Sequence, residues 1–179
     1  MIKYQYHYDT PVGRVRIEEY KKCISGLCME KQNQCGKTNE EDISRSLLCS
    51  GVNQSGENCA VEEKETELLK EAHKQLMEYF EGKRKGFELP IYVEGTVFQE
   101  KVWKALQQIP YGETRNYEEI AKAVGSPKAC RAVGGANHKN PIMIIIPCHR
   151  VIGKDGTLTG FGGGLAIKEY LLKLEKNEN

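Results

Sequence analysis

The sequence lacks any apolar stretch long enough to cross a membrane. Its longest apolar run, residues 142–146, is the length of a strand, whereas a membrane-spanning helix requires about 20 residues. The N-terminal residues also lack the apolar segment of a secretory signal peptide. We therefore expect a cytoplasmic protein without a membrane segment, with 179 residues forming one large domain or two small ones.

The cysteines lack the spacing of a metal site. Cys23 and Cys28 are separated like a pair of ligands, but no second pair or histidine follows at a matching distance. The total of seven cysteines is odd, and nothing in the chain indicates export, so we expect free thiols rather than a disulfide framework. The sequence predicts no metal site.

Acidic residues are absent from residues 120–154, although the net charge of the chain is +1. Residues 1–90 hold 14 basic and 16 acidic residues, net −2, and residues 91–179 hold 12 and 9, net +3. A basic stretch without acids suggests a surface that faces a polyanion; a chance cluster of charges is the alternative. Its basic residues are Lys122, Lys128, Arg131, Lys139, Arg150 and Lys154, with His138 and His149.

Hydrophobic periodicity predicts an N-terminal α/β domain over residues 1–90. Alternating residues predict antiparallel strands before and after a turn at Thr10–Pro11, and a further short strand near residues 23–29. Apolar residues at helical spacing predict a helix over residues 62–82. The polar segment between them, residues 31–60, is expected to be a loop with one short helix around residues 43–48.

The C-terminal half, residues 91–179, is predicted to be mostly helical, which gives an α+β fold overall. Helices are expected over residues 97–108, 117–124, 128–136 and 165–175. Asn116 is the expected N-cap of the second helix, and Ser126 with Pro127 is expected to begin the third. Two short helices joined by a glycine-containing turn are typical of a helix-turn-helix, whose recognition helix would carry Lys128 and Arg131. An ordinary helical hairpin is the alternative, and the overlap with the acid-free stretch favours DNA binding.

A cysteine and a histidine follow directly on the apolar run 142–146, which is predicted to be a buried strand ended by Pro147. A thiol at such a point is held rigidly and can open into a pocket. His149 and Arg150 are the nearest groups in sequence that could favour its thiolate, the nucleophilic form. A small buried cysteine without chemistry is the usual alternative, and these residues alone leave both interpretations open.

The segment PCHRV at residues 147–151 resembles the acceptor motif of the O6-alkylguanine-DNA alkyltransferases, also called methylated-DNA–protein-cysteine methyltransferases. The resemblance covers residues 90–176 in the family's order and spacing, whereas residues 1–90 resemble the family only in outline. It implies a ribonuclease H-like N-terminal domain and a C-terminal domain for DNA binding and alkyl acceptance. The other matching motifs are FQxxVW at 98–103, IPYGET at 109–114, YxxIA at 117–121, RAVGGA at 131–136, NP at 140–141 and GGL at 163–165.

The resemblance implies DNA repair by direct reversal. The protein would flip O6-alkylguanine, or O4-alkylthymine, out of duplex DNA and transfer the alkyl group irreversibly to Cys148. It would be a single-turnover methylated-DNA–protein-cysteine S-methyltransferase that needs no cofactor. Its partner would be double-stranded DNA containing alkylated guanine, with no membrane, and it would act as a monomer. Some relatives hold a structural zinc in the N-terminal domain with ligands that this chain does not reproduce.

The same resemblance implies roles for five residues of the reaction. Cys148 would be the alkyl acceptor, His149 the base acting through a water, and Glu175 the carboxylate that orients His149, as in a nucleophile–base–orienter triad. The Tyr117 hydroxyl would donate to a guanine ring nitrogen, and Tyr117 would also contact the phosphate. Asn140 would hold the turn that links the recognition helix to the cysteine segment.

The DNA-binding residues follow from the resemblance in the same way. Arg131 would enter the base stack from the minor groove and fill the gap left by the flipped nucleotide. Lys128 would contact DNA, and Ala132 and Ala136 would keep the recognition helix small enough for a close approach.

The resemblance also places a substrate pocket around the acceptor thiol. Backbone groups of Cys148 and Val151 would bind the guanine amine, and the Gly162 N–H would meet the alkylated oxygen. Met143 stands where some relatives have Pro, and Phe161–Gly162 stand where some have Tyr-Ser. These differences leave the reaction intact and bear on the width of the pocket and its tolerance for bulky adducts.

Three other functions are alternatives to this one. A cysteine hydrolase or thiol redox enzyme usually brings its Cys and His from distant segments, whereas Cys148 and His149 are adjacent. A non-catalytic damage binder of the alkyltransferase-like type lacks the acceptor thiol, which is present here. A helix-turn-helix regulator is disfavoured by the acidic N-terminal half and by the absence of a dimerisation segment.

Overall fold

The computed structural model describes residues 1–30 and 59–177, and its N-terminal part is a four-stranded sheet. The strands are β1 (Ile2–Thr10), β2 (Gly13–Tyr20), β3 (Cys23–Met29) and β4 (Ala60–Glu63), in the order β3-β2-β1-β4. The pairs β1–β2 and β2–β3 are antiparallel, as predicted, whereas β4 joins β1 in parallel and was not predicted. The helix expected around residues 43–48 lies outside the described residues.

Helix α1 (Glu67–Phe80) covers the inner face of the sheet. The predicted start at residue 62 is wrong, because Glu62 and Glu63 belong to β4. The helix begins later because Thr66 is its N-cap, whose side-chain oxygen accepts a hydrogen bond from the Leu69 N–H at 3.2 Å. The apolar stripe that predicted the helix is buried: its innermost members are Leu69, Ala72, Leu76 and Tyr79.

Four helices and one small pair of strands form the C-terminal part. The helices are α2 (Val97–Leu106), α3 (Tyr117–Ala123), α4 (Cys130–His138) and α5 (Leu165–Lys176). Strands β5 (Arg115–Asn116) and β6 (Val151–Ile152) pair in parallel. None of the described helices is both long enough and apolar enough to cross a membrane.

Helices α3 and α4 form the predicted helix-turn-helix, but the second begins two residues late. Asn116 caps α3 as predicted, in a capping box with Glu119. Ser126 is not a helix cap: its carbonyl accepts a hydrogen bond from the Ala129 N–H at 2.9 Å, which closes a turn before the helix starts. Lys128 therefore lies exposed in this turn rather than on the recognition helix α4.

The apolar run 142–146 is buried but is not a regular strand, so that prediction was wrong. Ile144 has the left-handed backbone conformation (φ 72°), which β-branched residues rarely adopt. The chain reverses there, and the Ile146 N–H donates to the Ile142 carbonyl at 3.0 Å. Burial rather than extension explains the apolar side chains, and the reversal brings the following cysteine back towards Asn140.

The edge of the sheet is hydrogen-bonded to the segment that precedes the cysteine. The Leu27 N–H on β3 donates to the Pro141 carbonyl at 2.9 Å, and the Met143 N–H donates to the Leu27 carbonyl at 3.1 Å. Both halves also share one hydrophobic core, to which the sheet contributes Ile17 and the helical part Trp103. The N-terminal sheet is therefore part of the frame that holds the cysteine segment.

Candidate active site and DNA-binding surface

The thiol of Cys148 is buried in a short 3-10 turn, Cys148–Arg150. The Asn140 side-chain amide donates to its sulfur at 3.1 Å and to the Ile146 carbonyl at 2.8 Å. The Asn140 side-chain oxygen accepts from the Ile142 N–H at 3.0 Å. One side chain thus holds both sides of the reversed segment and the sulfur, and an N–H aimed at sulfur favours the thiolate.

His149 and Glu175 form a buried pair beside this thiol. Nε2 of His149 lies 2.9 Å from Oε1 of Glu175, which projects from the last turn of α5. Burial opposes ionisation of Glu175, but hydrogen bonds from His149 and Arg150 outweigh it and hold its pKa at about 2. Because an ionised carboxylate only accepts hydrogen bonds, Nε2 carries the proton. In the neutral ring, Nδ1 is then the basic nitrogen.

The imidazole of His149 is set up as a neutral base. Burial lowers its pKa below the usual value by more than the contact with Glu175 raises it. Its Nδ1 is buried and has no hydrogen-bond partner among the described residues. A neutral imidazole with an available lone pair can accept a proton at neutral pH.

Arg150 is turned into this site and away from the surface. Its Nε and Nη2 donate to the two oxygens of Glu175 at 2.9 and 2.8 Å, and its Nη1 donates to the Ile109 carbonyl at 2.6 Å. Arg150 was predicted to be one of the cations of the polyanion-facing surface, and that prediction is wrong because the residue is buried. Sequence reasoning missed this role because its partner lies 25 residues further along the chain.

Two further buried side chains support the site and were not predicted. Tyr79 on α1 donates its hydroxyl hydrogen to Oε1 of Glu175 at 2.7 Å. Lys168 on α5 donates to the Val151 carbonyl at 2.5 Å and the Thr159 carbonyl at 2.8 Å, and burial lowers its pKa. Both residues lie on the apolar stripes of their helices, at the spacing that is typical of core residues. A lysine on the inward stripe of α5 was the one available signal.

The predicted pocket residues differ in exposure. Met143, Val151 and Phe161 are buried, whereas Gly162 is half-buried. The Phe161 ring meets the His149 ring edge-on, with 6.4 Å between their centroids. The Phe161 ring therefore forms one apolar wall beside the base.

Tyr117 begins α3 and is half-buried. Its hydroxyl oxygen accepts a hydrogen bond from the Thr159 hydroxyl at 3.1 Å. Since the carbonyl of the same threonine binds Lys168, the loop before α5 is connected both to Tyr117 and to the helix that carries Glu175.

The predicted DNA-binding residues fall into two groups. Lys128 is exposed in the turn before α4, and Arg131 and Ala132 are exposed in its first turn. Ala136 is buried, and its carbonyl accepts a hydrogen bond from Nε1 of Trp103 at 2.9 Å. Its side chain faces the core, which corrects its assignment to the DNA-binding surface.

Ion pairing divides the cations of the acid-free stretch. Lys122 and Lys154 both bind Glu118, at 2.6 and 3.0 Å, and their hydrogen bonds lower the pKa of this carboxyl to about 2. Lys128, Arg131 and Lys139 are exposed and form no ion pair with any described residue. These three cations are the ones available to phosphate groups.

Comparisons with known proteins cover nearly the whole chain. Residues 2–93 match the family model described as 6-O-methylguanine DNA methyltransferase, ribonuclease-like domain, and residues 97–177 match the DNA binding domain of the same family. A constitutive methylated-DNA–protein-cysteine methyltransferase from Bacillus subtilis is 59% identical over 94% of this chain and 92% of its own length. The relative of that name from Haemophilus influenzae is 40% identical over 97% and 86%.

A solved structure also matches nearly the whole chain. The crystal structure of Mycobacterium tuberculosis OGT in complex with DNA has a TM-score of 0.77 and 39% identity to this chain. The match covers 97% of this chain and 93% of that one.

Proposed function

Because the chain belongs to the methylated-DNA–protein-cysteine methyltransferase family, we propose that it repairs DNA by moving an alkyl group from O6-alkylguanine, or O4-alkylthymine, to Cys148. The observation that carries this proposal is the arrangement around the thiol. Asn140 holds the sulfur, and the neutral base His149 is oriented by the ionised Glu175. Because the substrate is part of DNA, we expect the protein to act on double-stranded DNA. We also expect it to act in the cytoplasm and as a monomer.

The reaction exchanges one bond to carbon for another. Nδ1 of His149 accepts the thiol proton through a water, and the sulfur attacks the alkyl carbon. The S–C bond forms as the bond between carbon and the guanine oxygen breaks, and its electron pair stays on the guanine. The Tyr117 hydroxyl donates to a ring nitrogen of the leaving base, and Glu175 stabilises the imidazolium. The thioether has no route back to a thiol, so each molecule acts once.

Burial of the thiol requires the damaged nucleotide to leave the helix. A base stacked within the duplex cannot reach the sulfur of Cys148, a residue that is only 5% exposed, and unstacking costs a few kcal/mol. Arg131 is exposed on α4, where its side chain can enter the space that the nucleotide leaves. We propose that this insertion stabilises the flipped state.

Intact-mass measurement after incubation with DNA containing O6-methylguanine tests the proposal. We expect the mass of the protein to rise by that of one CH2 group, located by fragmentation on Cys148. Unmodified protein after complete incubation, or a methyl group on a different cysteine, would contradict the proposal.

Replacement of Arg131 by Ala should slow repair of duplex DNA much more than reaction with a free modified base. The duplex substrate must be unstacked before transfer, whereas free O6-benzylguanine has no stack to leave. If the inserted side chain lowers the free energy of the flipped state by about 1.4 kcal/mol, its loss slows duplex repair about tenfold. The measurements are the single-turnover rate at saturating duplex and the second-order rate constant with the free base, for the wild type and the variant.

Lys139→Ala is the matched control for Arg131→Ala. Lys139 is also exposed and basic, at the C-terminal end of α4, but it is not placed to enter the stack. We expect its loss to weaken DNA binding while the rate at saturating DNA stays close to that of the wild type. Equal losses on duplex and free base for Arg131→Ala would mean that Arg131 shapes the fold or the pocket, and its assigned role would have to be withdrawn.

Salt should weaken DNA binding to a moderate extent. On undamaged duplex, where no nucleotide is flipped and Lys128, Arg131 and Lys139 can all contact phosphates, the slope of log K against log salt should be about −3, from −0.9 per contact. Fluorescence anisotropy of a labelled duplex over a range of salt concentrations measures this slope. Lys128→Ala should reduce it by about one contact, whereas Lys74→Ala, on the exposed side of α1, should not change it. Binding that is independent of salt would exclude this surface.

A further inference from the structure

Tyr79 belongs to the N-terminal part of the chain, but its hydroxyl lies inside the candidate active site. The residue is fully buried on α1, and its hydroxyl lies 2.7 Å from Oε1 of Glu175 and 3.5 Å from Nε2 of His149. We infer that Tyr79 is a positioning residue for alkyl transfer, supplied by the N-terminal domain, which fixes Glu175 and His149 relative to each other. The inference rests on the proposed function.

The ring of Tyr79 is held firmly enough to aim its hydroxyl. Three aromatic rings surround it, those of Phe80, Phe87 and Tyr111, with centroids at 5.7, 5.4 and 6.0 Å. Helix α1 in turn packs on the four-stranded sheet. The N-terminal domain therefore sets the position of the oxygen that Glu175 contacts.

The direction of the hydrogen bonds follows from the charges. Glu175 is ionised and accepts only, so the phenol must donate to it. Burial, followed by the negative charge of Glu175, raises the pKa of Tyr79, so the phenol keeps its hydrogen. That single hydrogen is engaged with Glu175, and an unprotonated Nε2 would find no donor in Tyr79. The contact therefore favours the tautomer of His149 that leaves Nδ1 free to act as the base.

Removal of the hydroxyl changes the charge that His149 experiences. Oε1 of Glu175 also accepts from Arg150, and without the phenol donor more of its negative charge falls on His149. This favours the imidazolium and raises the pKa of His149, so that the base stays protonated to a higher pH. The titratable and charged groups around His149 are Glu175 and Lys168 on α5, Cys148 and Arg150 in its own turn, and Tyr79 on α1, against which Tyr111 packs.

Tyr79→Phe tests the inference, and Tyr111→Phe is its matched control. Tyr111 lies beside Tyr79, but its hydroxyl donates to the Leu174 carbonyl at 3.4 Å rather than to Glu175. We expect Tyr79→Phe to slow transfer about tenfold, as for loss of one buried hydrogen bond to a charged group. The loss should be equal on methylated duplex and on free O6-benzylguanine, and the acid limb of the pH–rate profile should move to higher pH. Tyr111→Phe should behave like the wild type.

A second measurement does not depend on alkylated DNA. The rate at which iodoacetamide modifies Cys148, located by peptide mass, is followed against pH in the wild type and both variants. We expect the Tyr79→Phe profile to shift and the Tyr111→Phe profile to stay in place. Wild-type rates and profiles for Tyr79→Phe would overturn the inference, and so would a slower rate with an unmoved profile, which indicates a packing role. If the wild type reacts with neither alkylated substrate, the proposed function fails, and the iodoacetamide profiles still decide the role of Tyr79.

Discussion

Replacement of Cys148 by Ser should abolish alkyl transfer and leave DNA binding intact. A serine hydroxyl is a far weaker nucleophile than a thiol near neutral pH. Proton removal by His149 does not make up for this difference. Binding should persist because the exposed cations Lys128, Arg131 and Lys139 are on α4 and its flanking turns, not at the acceptor. Transfer is measured by the loss of radiolabelled methyl groups from duplex DNA, and binding by anisotropy.

Cys23→Ser is the control for this substitution. Cys23 is a half-buried free thiol at the first residue of β3, four residues before Leu27, which is hydrogen-bonded to the segment that precedes Cys148. Its variant should transfer methyl groups at the wild-type rate. Methyl removal by the Cys148→Ser variant would show that another of the seven thiols is the acceptor, and the proposed function would then lose its central residue.

Local sequence signals predicted the elements whose ends are set by local contacts. Asn116 and Glu119 form the capping box that begins α3, and such a box is visible in the sequence because both partners lie within four residues. The predicted start of α4 was wrong because Ser126 is equally suited to a helix cap and to a turn, and only the completed fold selects the turn. The left-handed Ile144 was missed for a related reason: packing of the whole cysteine segment overrides a strong preference for extended backbone.

Some residues of the site belong to one sequence motif, whereas others are distant in sequence and are brought together only by the fold. Cys148 and His149 are adjacent, but the pairing of His149 with Glu175 spans 26 residues and was expected only through the family resemblance. Tyr79 lies 96 residues from Glu175, and its place on an apolar stripe made it look like an ordinary core residue. Lys168 has the same difficulty. Its acceptors are backbone carbonyls, which no sequence pattern marks.

Replacement of Glu175 by Gln should destabilise the protein as well as slow transfer. Oε1 accepts from Tyr79, His149 and Arg150, and Oε2 accepts from Arg150 and the Gly112 N–H. Whichever way the Gln amide turns, its NH2 group meets donors, and the Arg150 charge stays buried without its counterion. Breaking a buried ion pair in this way costs about 3–5 kcal/mol, a large share of the roughly 5–15 kcal/mol that stabilises a typical domain.

Denaturant unfolding of wild type, Glu175→Gln and Glu169→Gln measures this cost. Glu169 lies on the same helix in an exposed i,i+4 pair with Lys173, and because solvent screens such a pair, its variant should lose little stability. The pH dependence gives an independent check. The pKa of Glu175 falls from 4.5 to about 2 on folding, so its stabilising contribution is complete above 4.5 and disappears as the pH falls towards 2. The Glu175→Gln variant should lack that decline. A free energy of unfolding equal to that of Glu169→Gln would mean that the Glu175 cluster does not stabilise the folded chain.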